Sequence, residues 1–291
     1  MNRIALFLLV FFAGLVTLGV ELAASRLLAP FFGTSLIVWA TLIGLILVYL
    51  SVGYWLGGRW ADRSPRIETL IGIVTVAGVL VGLVPVVAAP VLRLSVEGFA
   101  RLHAGLLGGS FAGVLLLFTA PMILLGCVSP FAIRLAVVDL SHTGRVAGRL
   151  YALSTLGSFV GTFLPVLWLI PLYGTRWTFW FFALLLLGVA ASAAALTARR
   201  AVAWPLIGFA AILGVAVWAQ GQLIKPGDSL LYEGESLYHY IRVVEEDGWR
   251  LLELNEGQGT HSAYLPGRET TGSVWDYYLL APLFNPAPYD P

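Results

Sequence analysis

Residues able to do chemistry fall in three places along this 291-residue chain. Glu21 and Arg26 lie toward the end of an apolar run that starts at Ile4. An ionisable side chain at membrane depth is costly unless partnered, so both are candidates for a binding or transport role. Five residues turn a helix by about 140° beyond a full turn. The two therefore do not stack on each other, and partners on other helices are expected. Snorkelling to the interface is the plainer alternative. The second place is Gly57-Gly58-Arg59-Trp60-Ala61-Asp62-Arg63. Asp62 among arginines can form a charge lock at the membrane surface, with Gly58 and Arg63 completing the motif. A basic loop that only sets topology is an equal alternative. The third place is the tail, where His261 and Tyr264 could contact a ligand or stand as ordinary surface residues. His103, His142 and His239 are isolated, with no metal-ligand spacing, so no metal site is expected. No Ser/His/Asp elbow, His-Glu-x-x-His or phosphate-binding loop is present.

These residues must be held by a membrane scaffold. The chain is 59% hydrophobic and 11% charged, with a mean hydropathy of +0.87. Soluble domains carry roughly a quarter charged residues. A spanning helix needs about 20 apolar residues, and seven runs qualify, at about 4–25, 35–57, 69–92, 107–127, 150–172, 176–198 and 202–221. The first is too long for a signal peptide and six more follow it, so it reads as a retained helix. Gly157-Ser-Phe-Val-Gly161 marks close helix packing, with dimerisation as the alternative. Pro165 and Pro171 are points where the fifth span kinks or ends. The single cysteine, Cys127, lies in an apolar run and reads as a small buried hydrophobe.

Charge divides the chain. Residues 1–225 hold 14 Lys+Arg and 5 Asp+Glu, a balance of +9, while residues 226–291 hold 3 and 11, a balance of −8. These are the expected domains: a transmembrane helical domain, 1–225, and a small acidic β-rich module, 226–291. The acidic tail argues against a nucleic-acid partner. Nine arginines (Arg3, Arg59, Arg63, Arg66, Arg134, Arg145, Arg149, Arg199 and Arg200) fall on one side of the seven spans. The positive-inside rule makes that side cytoplasmic, with the tail outside.

In the tail, Leu237 to Glu246 and Trp249 to Leu254 read as strands joined at Asp247-Gly248, a turn whose two residues favour φ > 0. Thr260 to Leu265 reads as a third strand. Thr271 is the expected cap of a short helix through about Phe284, and 285–291, with three prolines, reads as a linker. The expected fold class is therefore an α-helical polytopic membrane protein of about seven transmembrane helices, with a small C-terminal β-hairpin-rich soluble module.

Four stretches carry a family resemblance: Val20 to Ser35 (VELAASRLLAPFFGTS), Gly53 to Arg63 (GYWLGGRWADR), Val128 to Arg134 (VSPFAIR) and Gly144 to Ser158 (GRVAGRLYALSTLGS). The second is similar to a loop motif of major-facilitator transporters. Together they resemble the membrane part of membrane-integral spermidine synthase-like proteins, a major-facilitator-like region fused to a polyamine aminopropyltransferase. Ser236-x-Tyr238-x-x-Ile241-x-Val243 and Leu254-Asn-Glu-Gly257 are similar to the small N-terminal β-domain of that transferase. The resemblance implies transfer of an aminopropyl group from decarboxylated S-adenosylmethionine to putrescine, on a Rossmann-like domain that 1–291 does not contain. The catalytic positions therefore have no counterpart here. For the β-domain it implies substrate-facing places that Gln258 or His261 and, further on, Trp275-Asp276 would fill, with the amine-binding pair altered.

Three functions remain open. The chain is the anchor and β-domain of a spermidine synthase-like protein, inactive alone, needing that donor only if a catalytic domain is supplied separately. It is a major-facilitator-like small-molecule transporter. Or it is a non-catalytic scaffold docking a partner chain through the acidic tail. Expected surroundings are the lipid bilayer of a bacterial cytoplasmic (inner) membrane, with homo-oligomerisation open.

Overall fold

A computed structural model describes residues 3–101, 105–137, 143–225, 229–236, 238–255, 257 and 259–284. The chain divides into two compact units, Met1–Gln222 and Leu223–Pro291. The boundary falls slightly before the 225/226 division, because the amides of Ile224 and Lys225 are bonded to Glu233 of the second unit.

The first unit is built of α1 (Arg3–Phe32), α2 (Leu36–Arg63), α3 (Ile67–Arg101), α4 (Gly105–Ala136), α5 (Thr143–Leu164), α6 (Ile170–Thr197) and α7 (Ala203–Trp218). Among the described residues, six helical stretches are long and apolar enough to cross a membrane. One of them, Thr143–Thr197, has 55 residues. At about 1.5 Å per residue it would be far longer than the roughly 30 Å core of a bilayer. It is two spans. Pro165 lacks an amide donor and opens a π-helical turn over Pro165–Leu169, in which the Ile170 amide bonds to the Pro165 carbonyl. At Gly174 the backbone leaves the helix altogether, with φ 82 and ψ 170. The span that opens α5 ends there, and the rest of α6 returns.

Close contacts at glycines and one indole hydrogen bond fix how the helices run relative to one another. Gly157 meets Phe11 and Gly161 meets Leu15, so α1 and α5 are parallel. Gly53 meets Ile123 and Gly57 meets Cys127, so α2 and α4 are parallel. Trp180 Nε1 donates to the Gly82 carbonyl at 3.1 Å while Gly78 meets Leu187, so α6 is antiparallel to α3. Gly208 meets Val79 and Gly82 meets Ile212, so α7 runs parallel to α3. Seven alternating spans follow.

The pairing has an internal symmetry. Exchanging α1 with α4, α2 with α5 and α3 with α6 turns the α1–α5 pair into the α4–α2 pair and the α1–α6 pair into the α4–α3 pair. The α1–α4 and α3–α6 pairs are unchanged. Since α4 runs opposite to α1, the triplets have inverted topology, an arrangement common in transporter folds. The second helix of each triplet carries a Gly-x-x-x-Gly pair, Gly53/Gly57 and Gly157/Gly161, and both pairs seat a neighbouring backbone. The Gly157–Gly161 motif thus serves packing inside the unit, against α1. The core lies around α1, whose Leu6, Leu9, Val16, Val20, Ala24 and Leu28 are buried, with Phe118, Phe179, Trp180 and Phe182. Cys127 is buried, as expected.

The second unit is a four-stranded antiparallel meander, β1 (Leu230–Glu235), β2 (Tyr240–Glu246), β3 (Trp249–Leu254) and β4 (Thr260–Tyr264). Asp247 and Gly248 take φ 51 and φ 83, the two positive values the tight β2–β3 turn needs. Three expectations are corrected. An additional strand, β1, precedes the hairpin, and β2 begins at Tyr240 rather than at 237, because the Ser236 hydroxyl accepts from the His239 amide and turns the chain there. The tail helix is a 3₁₀ helix over Val274–Phe284, and its cap runs the other way: Asp276 accepts from Thr271. The expected linker 285–291, and His103 and His142, lie outside the described residues.

Candidate functional site

At the end of the helical unit where α1 starts, α2 and α4 finish together. Helix α2 continues to Arg63 and is closed by Ser64, whose amide bonds to the Trp60 carbonyl at 2.9 Å. Pro65 follows and cannot continue a helix. The Gly58, Asp62, Arg63 motif therefore lies on the last turns of a helix and not in a loop. Parallel pairing of α2 with α4, set by Gly53 and Gly57, brings Asp62 opposite Arg134. Arg134 Nε and Asp62 Oδ1 are 3.0 Å apart, with both side chains at least half exposed. Arg59 sits over the Trp55 ring, its Cζ 3.6 Å from the centroid. Gly58 has open space at its Cβ position, so it imposes no packing requirement. The arginine that Asp62 meets comes from another helix and not from the arginine-rich stretch around it. Chemically this is a reversible latch between the ends of α2 and α4. An exposed pair of this kind contributes about 0–1 kcal/mol, so it biases a conformation more than it holds the fold.

Glu21 and Arg26 are both half-buried on α1 and do not pair with each other. Among the described residues, no hydrogen bond or ion pair reaches Glu21. It stands 18 residues beyond Arg3, about 27 Å along the helix.

In the tail, Gln258 lies outside the described residues. His261 and Tyr264 are exposed on β4, and His261 Nδ1 is 3.1 Å from the Gly259 carbonyl oxygen. His261 falls at the irregularity in the β3–β4 register, between the pairs Leu252–Ser262 and Glu253–Thr260. Trp275 is half-buried. Asp276 is engaged by its own loop: Oδ1 accepts from the Thr271 amide at 2.7 Å and hydroxyl at 2.8 Å, and Oδ2 accepts from the Gly272 amide at 2.7 Å. Hydrogen bonds from Thr271, its amide first, hold this carboxyl below the ordinary aspartate value. The described contacts do not gather His261, Tyr264, Trp275 and Asp276 around one point.

What the sheet does assemble is a polar row that pattern reading missed. Glu233, Arg242 and Glu253 are direct cross-strand partners on β1, β2 and β3. Arg242 Nε donates to the nearly buried Glu253 carboxylate. The buried Tyr240 hydroxyl donates to Glu233, which also accepts from the amides of Ile224, at 2.9 Å, and Lys225, at 2.8 Å. Burial, reinforced by the Glu233 carboxylate, pushes the Tyr240 hydroxyl far above the ordinary tyrosine value. Charged residues in β2 and β3 stand three apart, Arg242 with Glu245 and Arg250 with Glu253, so alternation gave no advance signal; the partners were set by register.

Among the described residues no group of three or more His, Cys, Asp or Glu could hold a metal ion. In comparisons with known proteins, no family model, curated protein or solved structure matches this chain.

Proposed function

We propose that 1–291 is the membrane anchor and β-module of a spermidine synthase-like protein and transfers no aminopropyl group by itself. The observation that carries the reading is the pairing of an alternating seven-span helical unit with a meander whose described residues form no donor-binding fold: every strand pair is antiparallel, and no strand leads into a glycine-rich turn and helix. Donor sites of the nucleoside type need such a strand–turn–helix unit. In this reading the polar row of Glu233, Tyr240, Arg242 and Glu253 stiffens the module as a platform, and decarboxylated S-adenosylmethionine would be bound only by a domain outside 1–291. Purified chain incubated with decarboxylated S-adenosylmethionine and putrescine gives no spermidine, whereas product formation would refute the proposal directly.

One observation favours a second reading, a major-facilitator-like small-molecule transporter. The inverted triplets and the Asp62–Arg134 latch at the end of α2 and α4 suit a scaffold that alternates between two arrangements. That reading predicts water access to Glu21: a cysteine placed there in a Cys127→Ser background would react with a membrane-impermeant maleimide in liposomes. Its silence from both faces of the membrane would count against transport. By the positive-inside rule the arginine-rich end faces the cytoplasm of a bacterial inner membrane, and α7 ends on the opposite face. A C-terminal reporter active only in the cytoplasm tests this, with no signal expected.

A further inference from the structure

A recess of about 230 Å³ opens at the arginine-rich end between α1, α4 and α5. Among the described residues, its charged lining is Arg3 and Arg149; Leu6, Phe7, Leu135 and Val146 are among its apolar walls. Among the described residues, no acidic side chain lines it. Asp62, on the paired end of α2, is already engaged by Arg134. Among the described residues, neither Arg3 nor Arg149 has an ion pair or hydrogen bond. Two unneutralised arginines sharing one recess repel each other, and an anion between them removes that repulsion. The guanidinium fork matches the oxygens of a phosphate in bidentate fashion.

The apolar walls decide which phosphate. Arg3 opens α1, so the recess lies at the level where the first span begins. Ile4 and Phe7, on the outward side of α1, are exposed and continue the apolar wall outward. A soluble anion gains nothing from that wall. An amphiphile uses both parts, its headgroup between the guanidiniums and its first methylenes along Phe7 and Leu6. We propose that this recess binds the phosphodiester headgroup of an anionic phospholipid, held by Arg3 and Arg149. Basic pockets between spanning helices on the positively charged side have the right chemistry for such headgroups. The inference is independent of whether the chain anchors an enzyme or transports a solute.

The test uses the full chain in nanodiscs of mixed phosphatidylglycerol and phosphatidylcholine, with the retained lipids weighed by native mass spectrometry. The wild type retains phosphatidylglycerol preferentially. At roughly fivefold per arginine near an anionic surface, Arg3→Gln with Arg149→Gln lowers that preference by about thirtyfold. Arg199→Gln with Arg200→Gln removes the same charge from the same end, outside the recess, and leaves most of the preference intact. All four side chains are exposed, so the variants retain the fold. Were the first pair not to purify, Arg149→Gln alone carries the test at about fivefold. Equal loss in both pairs would show diffuse attraction and overturn the site. Displacement of phosphatidylglycerol by inorganic phosphate at similar concentration would assign the recess to a soluble anion and overturn the lipid. Equal retention of both lipids by the wild type would also overturn it.

Discussion

A methyl group at position 161 would wedge α5 away from α1. A Cβ added to Gly161 would lie 1.9 Å from the Leu15 carbonyl oxygen and 2.7 Å from its carbonyl carbon. A relaxed carbon–oxygen contact needs roughly 3.3 Å, so the helices must part by about 1.4 Å at that level. The obstructing atoms belong to the backbone, so no rotamer change relieves them. Parting the helices also stretches the bond from Ser158 Oγ to the Gly14 carbonyl, now 3.1 Å, and loosens Gly14 against the Ser154 backbone. Overpacking costs about 1–3 kcal/mol, and an interhelical hydrogen bond lost in a membrane about 0.6 more. For a unit of this size, 1 kcal/mol moves a melting midpoint by about 2–4 °C, so Gly161→Ala should melt roughly 3–14 °C below wild type. Cys127 supplies the assay. It is the sole cysteine and is 1% exposed, so a maleimide dye reports its release on heating in detergent. Gly188→Ala is the reference, since nothing lies within 4 Å of its Cβ position. Ala is better than Gly inside a helix by about 0.5–1 kcal/mol, so that variant should match or exceed wild type. A Gly161→Ala midpoint equal to that of Gly188→Ala would refute the close α1–α5 contact.

Three further outcomes are expected. A double-mutant cycle on Asp62→Asn and Arg134→Gln should give a coupling of about 0.2–1 kcal/mol that weakens in high salt; a value of several kcal/mol would mean that the pair is not the exposed latch described. Asp276, whose folded value is depressed, should order the Thr271–Gly272 loop at all pH above its unfolded value of 3.8 and release it as pH falls through the lower folded value. Amide exchange at Thr271 and Gly272 should therefore rise in acid, and in Asp276→Ala already at neutral pH; exchange unchanged by that substitution would refute the cap. Tyr240, whose folded value is raised, should stay protonated where exposed tyrosines ionise, near about pH 10. Its stabilising contribution is complete below that pH and is lost as pH climbs toward the folded value. A 295 nm titration of wild type against Tyr240→Phe that showed an extra group ionising near about pH 10 would contradict the buried Tyr240–Glu233 bond.

Legibility followed the range of the interaction. Each span was readable because an apolar run of bilayer length is a property of consecutive residues, and even the return at Gly174 was marked by Pro171 and Arg176 on either side. The helices nonetheless extend past the runs, α2 through Asp62 and Arg63, because hydrogen bonding along a helix does not stop where lipid ends. Asp247-Gly248 was readable because its two positive φ values are a local demand. Strand β1 was missed because Leu230-Leu-Tyr-Glu-Gly-Glu has only weak alternation and gains its strand character from pairing with β2. Asp276 read as a site residue, and its carboxylate accepts from amides five and four residues back, which residue type alone does not reveal.

Composition and pattern by themselves determined a membrane protein of seven apolar spans, arginines gathered at one end, and an acidic strand-rich tail. These follow from solvent preference and local geometry, which each segment expresses on its own. Tertiary structure decided the partners: Gly157 and Gly161 against α1, Asp62 with Arg134 of α4, Glu233, Arg242 and Glu253 in one row, and Arg3 beside Arg149 in one recess. Such pairings depend on how separate helices and strands are registered in space, and the spacing of residues along the chain carries no record of that.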